Sequence, residues 1–430
     1  MRELKRIFSN KQTENGDQCY NTTGNRLIDL LFMSQYYRNH LDEVNIGDSE
    51  KEKLFSKFMR DPRYGLGERD LGRVLMKQSN ISPEEILECG RADDLLAIGY
   101  TQYFIDKLVS GDYNIKKWSP RLTSGIESRM LAKKLIKLLN ITEKEYRKLI
   151  KCDTTEYRVS NKIKIDDYSK VPSLAFLKHK NTFWKQDGEG FREFMESVSS
   201  GKSTINTSTS TPYDIFKKCV SGNFYLGDVK IDKDADILFK SLKQVHLGSI
   251  LPIIDNSGSM YDNLDSQGKA KAIGHYVAKN QTYLPNHIIT FSSKPKLLEL
   301  GNTYEEDMRI LNSYDDCSNT NFGKVMDLLS KLNEDVPDYL LVLSDMEFDY
   351  GSNESKEKTM KLFKKRGIKT RIIWWNFNTR NTTSPELDED GNIFISGYNP
   401  QLLKFLESGF DAMKFLDKLL EEYKQKIDKL

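Results

Sequence analysis

The chain has 430 residues, a length that favours two or three domains and excludes a single small module. Hydrophobic residues make up 38% and charged residues 30%, so the chain can bury a core, and no apolar run approaches the roughly 20 residues of a membrane-spanning helix. The 65 basic and 63 acidic residues leave a net charge of +2, which excludes a uniformly basic nucleic-acid coat.

Residues 1–24 are predicted to be a flexible N-terminus. Residues 1–20 are mostly polar and lack the apolar centre of a secretion signal, which favours a cytoplasmic protein. The cysteines are scattered without close pairs, a pattern typical of reduced packing thiols rather than a disulfide framework or a zinc cluster: Cys19, Cys89, Cys152, Cys219 and Cys317.

Residues 25–246 are predicted to form a series of short helices. Ser82 and Thr142 are each followed three residues later by a glutamate, the pattern of a helix capping box, and Thr211 starts a further helix. Apolar residues recur at helical spacing from Ile126 to Leu139, and we expect packing in layers to bury this stripe, as in an α-solenoid. The sequence shows no fixed repeat period, so it neither establishes nor excludes a repeat array.

Basic residues are concentrated from Lys107 to Lys164, which hold 15 basic and 6 acidic side chains. Arg129, Lys133 and Lys137 recur every fourth residue, so they share one face of a helix. Trp118, beside several lysines, is either a platform on which a nucleic-acid base stacks or a core residue under an ordinary solvated face. The candidate RNA-binding residues are Lys116, Lys117, Trp118, Arg121, Arg129, Lys133, Lys134, Lys137, Arg147 and Lys148.

The character of the sequence changes near residue 246, after a Ser- and Thr-rich loop predicted at residues 199–212. We predict strands at residues 249–254, 287–291, 339–343, 370–375 and 393–395, separated by helices at residues 269–279, 322–331 and 355–366 and followed by helices at 401–407 and 411–426. Strands alternating with helices predict a mostly parallel sheet covered on both faces. Pro252 would remove a hydrogen bond from a central strand, so we expect it to mark the beginning of the first strand.

The turn after the first predicted strand carries an aspartate and two hydroxyl groups. Asp255, Ser257 and Ser259 offer oxygen ligands, and Thr320 and Asp345 follow other predicted strands, whose carboxyl ends share one edge of a parallel sheet. The Asp255 turn alone is also typical of an ordinary helix N-cap, but the two added groups favour a metal site. Oxygen ligands suit magnesium or manganese rather than zinc.

In order and topological place these five residues resemble the metal-ion-dependent adhesion site of von Willebrand factor A domains. The resemblance implies a doubly wound, Rossmann-like α/β domain over residues 247–430. It also implies a divalent cation, Mg²⁺ in the first place and Mn²⁺ or Ca²⁺ as alternatives, with an open position for an outside acidic group. The implied ligands are Asp255, Ser257, Ser259, Thr320 and Asp345.

The helical part resembles Ro-type proteins. Residues 61–70 are similar to the RDxRxGxGER segment of that family and depart from it at Pro62 and Leu66. Further segments resemble plant and viral relatives of the family that are themselves uncharacterised: residues 90–96, 117–121, 145–149 and 171–173. The resemblance implies an N-terminal TROVE domain of HEAT-like helical repeats before the A domain, in a ring that binds small structured or misfolded RNA and its single-stranded ends.

These features predict a non-enzymatic RNA-binding protein, a ribonucleoprotein component with a divalent cation in its A domain. The alternative is a metal-dependent protein-interaction or assembly module, or a viral structural component, whose cation binds an Asp or Glu of a protein partner without RNA. HExxH, GxSxG and Walker motifs are absent from the sequence, so we expect no enzyme, and a metal-dependent phosphohydrolase ranks third. No membrane partner is expected.

Overall fold

A computed structural model of the chain describes residues 11–12, 18–19, 24–207, 209–223, 228–262, 264–314, 321–331, 336–345, 352–377, 393–398, 405 and 412–429. The chain forms two compact units. The helical unit comprises Tyr37–Ser203 and Asp417–Leu430, and the sheet unit comprises Met1–Tyr36 and Thr204–Leu416. Residues 204–246 thus pack with the sheet, while the predicted domain bounds stay a prediction.

Where the structure describes it, the first part of the chain is helical apart from one antiparallel pair of short strands. Its elements are β1 (Lys11–Gln12), β2 (Gln18–Cys19), α1 (Arg26–Phe32), α2 (Ser34–Tyr37), α3 (Glu50–Arg60), α4 (Asp70–Gln78), α5 (Pro83–Cys89), α6 (Ala92–Ile98), α7 (Thr101–Val109), α8 (Tyr113–Trp118), α9 (Ile126–Leu139), α10 (Glu143–Leu149), α11 (Thr155–Ser160), α12 (Ser173–Gln186) and α13 (Gly188–Ser199). Among the described helices of both units, none is long and apolar enough to cross a membrane.

The predicted helix starts are confirmed in the structure. Ser82 caps α5 and Thr142 caps α10, and in each case the glutamate three residues later closes a capping box. Each box satisfies backbone N–H groups that a helix start otherwise leaves open. The loop predicted at residues 199–212 is confirmed as well, because α13 ends at Ser199 and the next helix begins at Pro212.

Helices α4 to α10 share one apolar core. Its buried members are Met76, Ile81, Ile86, Cys89, Ala92, Leu95, Phe104, Leu108, Ile115, Ala132, Leu135, Tyr146 and Ile150. The expectation that the whole apolar stripe of α9 is buried is wrong. Ala132 and Leu135 face the core, but Ile126, Met130 and Leu138 are 71%, 67% and 54% exposed. The helix carries more apolar residues than one buried face can hold.

The later part of the chain alternates strands and helices. Its elements are α14 (Pro212–Cys219), β3 (Val220–Asn223), β4 (Asp228–Ile231), α15 (Ala235–Lys240), β5 (Ile250–Asp255), α16 (Ser259–Asp262), α17 (Leu264–Asn280), β6 (His287–Phe291), β7 (Lys296–Glu299), α18 (Tyr304–Ser313), α19 (Phe322–Leu329), β8 (Tyr339–Ser344), α20 (Ser352–Lys365), β9 (Arg371–Asn376), β10 (Ile393–Ser396) and α21 (Ala412–Ile427). The helix predicted at residues 401–407 lies outside the described residues, apart from Phe405.

Six strands form one sheet in the order β10-β9-β8-β5-β6-β7. All neighbours are parallel except β7, which pairs antiparallel with β6 at one edge. The mostly parallel sheet is therefore confirmed, and the five predicted strands occur where expected. Strand β7 and the antiparallel pair β3–β4 were not predicted.

Pro252 lies inside β5 and does not begin it, which corrects the expectation from the sequence. The strand starts at Ile250, and Pro252 pairs with Leu341 of β8. On the other side of β5, the pairing with β6 begins only at Ile253. Because the ladder to β6 has not started at Pro252, the proline is tolerated in a central strand.

Helices cover both faces of the sheet. On one face Leu251 and Ile253 of β5 pack with Phe322 and Val325 of α19. On the other face α17 approaches so closely that a Cβ atom on Gly274 would lie 2.7 Å from Cδ1 of Ile254. A glycine is therefore needed where α17 crosses β5.

The close contact at Gly274 makes a testable prediction. Gly274→Val should lower the free energy of unfolding by about 1–3 kcal/mol, since the added carbons overpack the space between α17 and β5. Gly188→Val is the matched control at a helical glycine, where an added Cβ would meet no atoms within 4 Å, and it should cost under about 1 kcal/mol. Urea unfolding followed by circular dichroism measures both, and equal effects would contradict the prediction.

Candidate metal centre and basic surface

The carboxyl ends of β5 and β8 lie side by side at the point where the strand order reverses. Strand β5 pairs with β6 on one side and with β8 on the other. Ile254 is opposite Leu343, and this register places Asp255 next to Ser344. Such a reversal leaves a crevice beyond the strand ends, which is where α/β proteins bind ligands.

Asp255 is held in this crevice by hydrogen bonds to both of its carboxylate oxygens. The backbone N–H of Ser257 donates to Oδ1 at 2.9 Å, and the hydroxyl of Ser344 donates to Oδ2 at 2.5 Å. The Oγ atoms of Ser257 and Ser259 are 3.2 Å apart. The turn therefore gathers carboxylate and hydroxyl oxygens within a few residues of chain.

The Asp255 carboxylate lacks a basic partner among the described ion pairs. It is completely buried, and buried Asp345 follows the end of the neighbouring strand. Burial, and after it the charge of Asp345, raise the pKa of Asp255 to about 7, although hydrogen bonds from Ser344 and Ser257 oppose the rise. Two carboxylates in a dry crevice favour a proton or a cation between them.

The donor set fits a divalent cation that prefers oxygen ligands. Asp255, Ser257 and Ser259 lie together, and Asp345 is near enough to raise the pKa of Asp255. Thr320, the remaining predicted ligand, lies outside the described residues. In the described part of the chain no group of three or more His, Cys, Asp or Glu side chains is placed to hold a metal. A cation here would depend on two carboxylates and on hydroxyls, which suits Mg²⁺ or Ca²⁺.

In the helical unit the segment from Asp61 to Asp70 forms a loop with internal hydrogen bonds. Asp61 is buried, and its Oδ1 accepts hydrogen bonds from the backbone N–H groups of Arg63 and Tyr64. Its Oδ2 accepts one from the hydroxyl of Tyr423 in α21, whose ring packs edge-on against Phe58. A Cβ atom on Gly65 would collide with the backbone oxygen of Phe58, which is why this position requires glycine.

A buried ion-pair network joins the helices on either side of this loop to residues 90–96. Asp94, at zero exposure, accepts hydrogen bonds from Arg60 at 3.1 Å and Arg73 at 2.7 Å. Arg73 also pairs with Asp93 at 2.8 Å. Glu68 forms two hydrogen bonds with Arg38. These residues of segments 60–73 and 90–96 therefore hold the helices together, which is a structural role.

The predicted basic surface is exposed and largely unpaired. Arg129, Lys133, Lys134 and Lys137 of α9 face solvent, and no described residue forms an ion pair with them. Lys148 is also exposed and unpaired in the described structure, whereas Arg147 lies 3.4 Å from Glu143. The predicted residues Lys116, Lys117 and Arg121 are half-buried. The concentration of charge on α9 is therefore available to an anionic partner.

Trp118 is half-buried and packs against the core of α4 to α10. The guanidinium group of Arg91 lies 4.3 Å from the centre of its ring, and the Lys117 ammonium group lies 5.5 Å away. Arg91 thus covers one face of the indole. Of the two interpretations of Trp118, the packing favours the core residue, and base stacking by this side chain stays a prediction.

Sequence reasoning did not select the side chains that support the Asp255 turn. Ser344 of β8 and Gln267 of α17 are not among the predicted site residues. Gln267 donates hydrogen bonds from Nε2 to Oδ1 of Asn256 at 2.8 Å and to the hydroxyl of Tyr261 at 3.2 Å. No local pattern signals these contacts, because they depend on the register of β8 and the position of α17.

The chain is similar to families and proteins over most of its length. Residues 249–429 match a family described as a domain of unknown function, DUF7788, and residues 118–247 match another, DUF2828. Uncharacterized protein L728 of Acanthamoeba polyphaga mimivirus is 23% identical, over 96% of this chain and 87% of the relative.

Two solved structures are also similar. The Ro (RSR) protein of Deinococcus radiodurans is 11% identical with a TM-score of 0.41, covering 97% of this chain and 96% of its own. The BatB protein of Bacteroides thetaiotaomicron is 17% identical with a TM-score of 0.23, covering 43% of this chain and 99% of its own.

The burial of Asp255 predicts a pH-dependent stability difference. In EDTA at about pH 8, Asp255→Asn should raise the free energy of unfolding by roughly 2–4 kcal/mol, since the neutral amide removes a charge from a dry site. A folded-state pKa of about 7, above the usual 3.8, makes the folded chain bind more protons than the unfolded chain between these values. The stability contribution of Asp255 therefore falls as pH rises from about 4 to about 7. Urea unfolding across this range should show the advantage of the variant growing with pH, and a constant difference would contradict it.

The Asp94 network predicts a large loss of stability on removal of one charge. Asp94→Asn should cost about 3–5 kcal/mol, because Arg60 would be left buried without its counter-charge. Glu143→Gln, which breaks an exposed pair with Arg147, is the control and should cost under about 1 kcal/mol. Thermal and urea unfolding measure both variants, and a small loss for Asp94→Asn would show that the network is not stabilising.

Proposed function

We propose that this chain is a non-catalytic RNA-binding protein whose helical unit contacts RNA and whose sheet unit binds a divalent cation at the Asp255 turn. The finer assignments are part of the proposal. The helices of residues 25–246 are interpreted as HEAT-like repeats of the TROVE type, and residues 247–430 as a von Willebrand factor A domain with a metal-ion-dependent adhesion site.

The observation that carries the RNA proposal is the unpaired basic face of α9. Some basic side chains elsewhere in the helical unit are matched by acidic ones: Lys57 lies 2.5 Å from Glu85, and Arg158 lies 2.8 Å from Asp153. Arg129, Lys133 and Lys137 have no such partner among the described residues. A run of uncompensated cations on one helix face is the electrostatic footprint expected for phosphate contacts.

The resemblance of residues 61–70 to the Ro-type segment adds support. In the structure Arg60 and Arg73, which flank this segment, both pair with Asp94 and so join α3 and α4 to α6. The resemblance therefore concerns the scaffold that positions the basic helices, and it is independent of the charge on α9.

One side-chain pair in the sheet unit resembles a catalytic pair but is buried. His275 contacts Asp307 at 2.7 Å, a pairing that general-base catalysis often uses. Both side chains are buried, and the His275 ring packs against Phe239 and Tyr304 at centroid distances of 4.4 and 5.1 Å. A substrate has no access to this dyad in the folded protein.

A protein-interaction module is the second candidate function. The observation that favours it is the exposure of Ile126, Met130 and Leu138 among the basic residues of α9. Phosphate contacts do not require exposed aliphatic side chains, whereas a partner with apolar and acidic residues would use both. The cation would then bind an Asp or Glu of that partner.

Charge reversal on α9 tests the RNA proposal. The triple variant Arg129→Glu, Lys133→Glu, Lys137→Glu should weaken binding of a labelled RNA stem-loop with a single-stranded tail by about tenfold or more and flatten its salt dependence, since fewer phosphates are neutralised. The matched control Lys178→Glu, Lys185→Glu, Lys202→Glu also reverses three exposed basic residues, which lie elsewhere in the helical unit.

Fluorescence anisotropy over a salt series measures both triple variants. A loss confined to the α9 variant supports the proposal. Unchanged affinity and salt slope in the α9 variant, or equal losses in both variants, would contradict the assignment of RNA to this face.

What co-purifies with the protein distinguishes the two candidate functions. Nucleic acid that co-purifies and disappears from the absorbance spectrum after ribonuclease treatment favours RNA binding. A protein partner released by EDTA and by Asp255→Ala, in the absence of RNA, favours the interaction module.

A further inference from the structure

One side chain of the sheet unit bridges both ends of the turn that carries the metal-site hydroxyls. Gln267 lies on α17, and its Nε2 donates to Oδ1 of Asn256 at 2.8 Å and to the hydroxyl of Tyr261 at 3.2 Å. Asn256 precedes and Tyr261 follows the pair Ser257 and Ser259 in the sequence. The two hydroxyl-bearing residues are therefore enclosed between two contacts to the same amide.

The segment is also fixed at its start by the sheet. The backbone N–H of Asn256 donates to the carbonyl of Phe291 at the end of β6, at 2.8 Å. With Ser344 holding Asp255 from β8, the turn is tied to β6, β8 and α17. Each tie comes from a different element, so together they restrict the turn in more than one direction.

The amide pair of Asn256 and Gln267 is not expected to contribute much to the free energy of unfolding. Asn256 and Gln267 are only 1% and 2% exposed. In the described part of the chain, Nδ2 of Asn256 and Oε1 of Gln267 have no hydrogen-bond partner. A buried amide pair that leaves one donor and one acceptor unsatisfied is generally no more stable than apolar side chains of similar volume. The pair therefore calls for a role other than packing.

We propose that Gln267 is a positioning residue for the cation site, which clamps the Asp255–Ser259 turn through Asn256 and Tyr261 so that its oxygens converge before the cation arrives. The inference rests on the divalent-cation site proposed above. Groups that orient metal ligands in this way, without touching the metal, commonly change metal affinity strongly when they are replaced.

The variant Gln267→Met tests the clamp, since it keeps the length of the side chain and removes both hydrogen bonds. Mn²⁺ affinity, measured by calorimetry on the full chain, should fall by about 10- to 100-fold. Tyr261→Phe removes one of the two contacts and should give a smaller loss. The double variant Asn256→Leu, Gln267→Met removes the whole amide pair and should lose Mn²⁺ affinity while keeping the wild-type urea midpoint in EDTA.

The matched control is Gln78→Met in the helical unit. Gln78 also uses its amide twice, donating to the carbonyl of Val44 and accepting from the N–H of Ile46. Its replacement should lower stability and leave Mn²⁺ affinity unchanged.

The possible outcomes distinguish failure of the clamp proposal from failure of the cation-site proposal on which it rests. Mn²⁺ binding that is absent in the wild-type protein, or that survives Asp255→Ala, would overturn the cation site and the clamp with it. Binding that depends on Asp255 but is the same in Gln267→Met and Tyr261→Phe as in wild type would overturn the clamp alone. Should Gln267→Met fail to fold, Tyr261→Phe decides by the same criterion.

Discussion

A carboxylate that is fully removed from water needs compensation, and Asp94 and Asp255 receive it in different ways. Asp94 in the helical unit is compensated by Arg60 and Arg73, which come from neighbouring helices. Among the described residues, Asp255 in the sheet unit receives only hydroxyl and N–H donors, beside the like charge of Asp345. The first arrangement balances its charge within the chain, whereas the second has no basic partner among the described residues, which suits it to a proton or a cation. This contrast separates a residue that holds the fold from one that is suited to binding.

Much of the sheet unit could be predicted because its signals are local. Buried parallel strands are continuous apolar runs, and those of β5, β6, β8 and β9 occur where the sequence places them. The convergence of Asp255 and Asp345 follows from the rule that parallel strands end at one edge. The contacts of Ser344 and Gln267 could not be predicted in this way, since they depend on strand register and on the side of the sheet that α17 covers.

The helical unit shows where periodicity stops being informative. Capping boxes are short-range, and those at Ser82 and Thr142 could be predicted from four residues each. Helix α9 carries apolar residues around most of its circumference, so the pattern alone does not say which of them meet the core. The packing selects Ala132 and Leu135 and leaves Met130 outside. The edge strand β7 was missed for a related reason, since its four residues include charges at both ends and form no apolar run.

The hydrogen bond between Tyr423 and Asp61 has a consequence for synthesis of the chain. The two residues are 362 positions apart, and the helical unit takes in Asp417–Leu430 after all the sheet-forming residues have been made. A nascent chain on the ribosome therefore exposes the surface around Phe58 and the buried oxygen of Asp61 until translation of α21 is finished. Premature termination before residue 417 therefore leaves this surface uncovered, and exposed apolar surface of this kind favours aggregation.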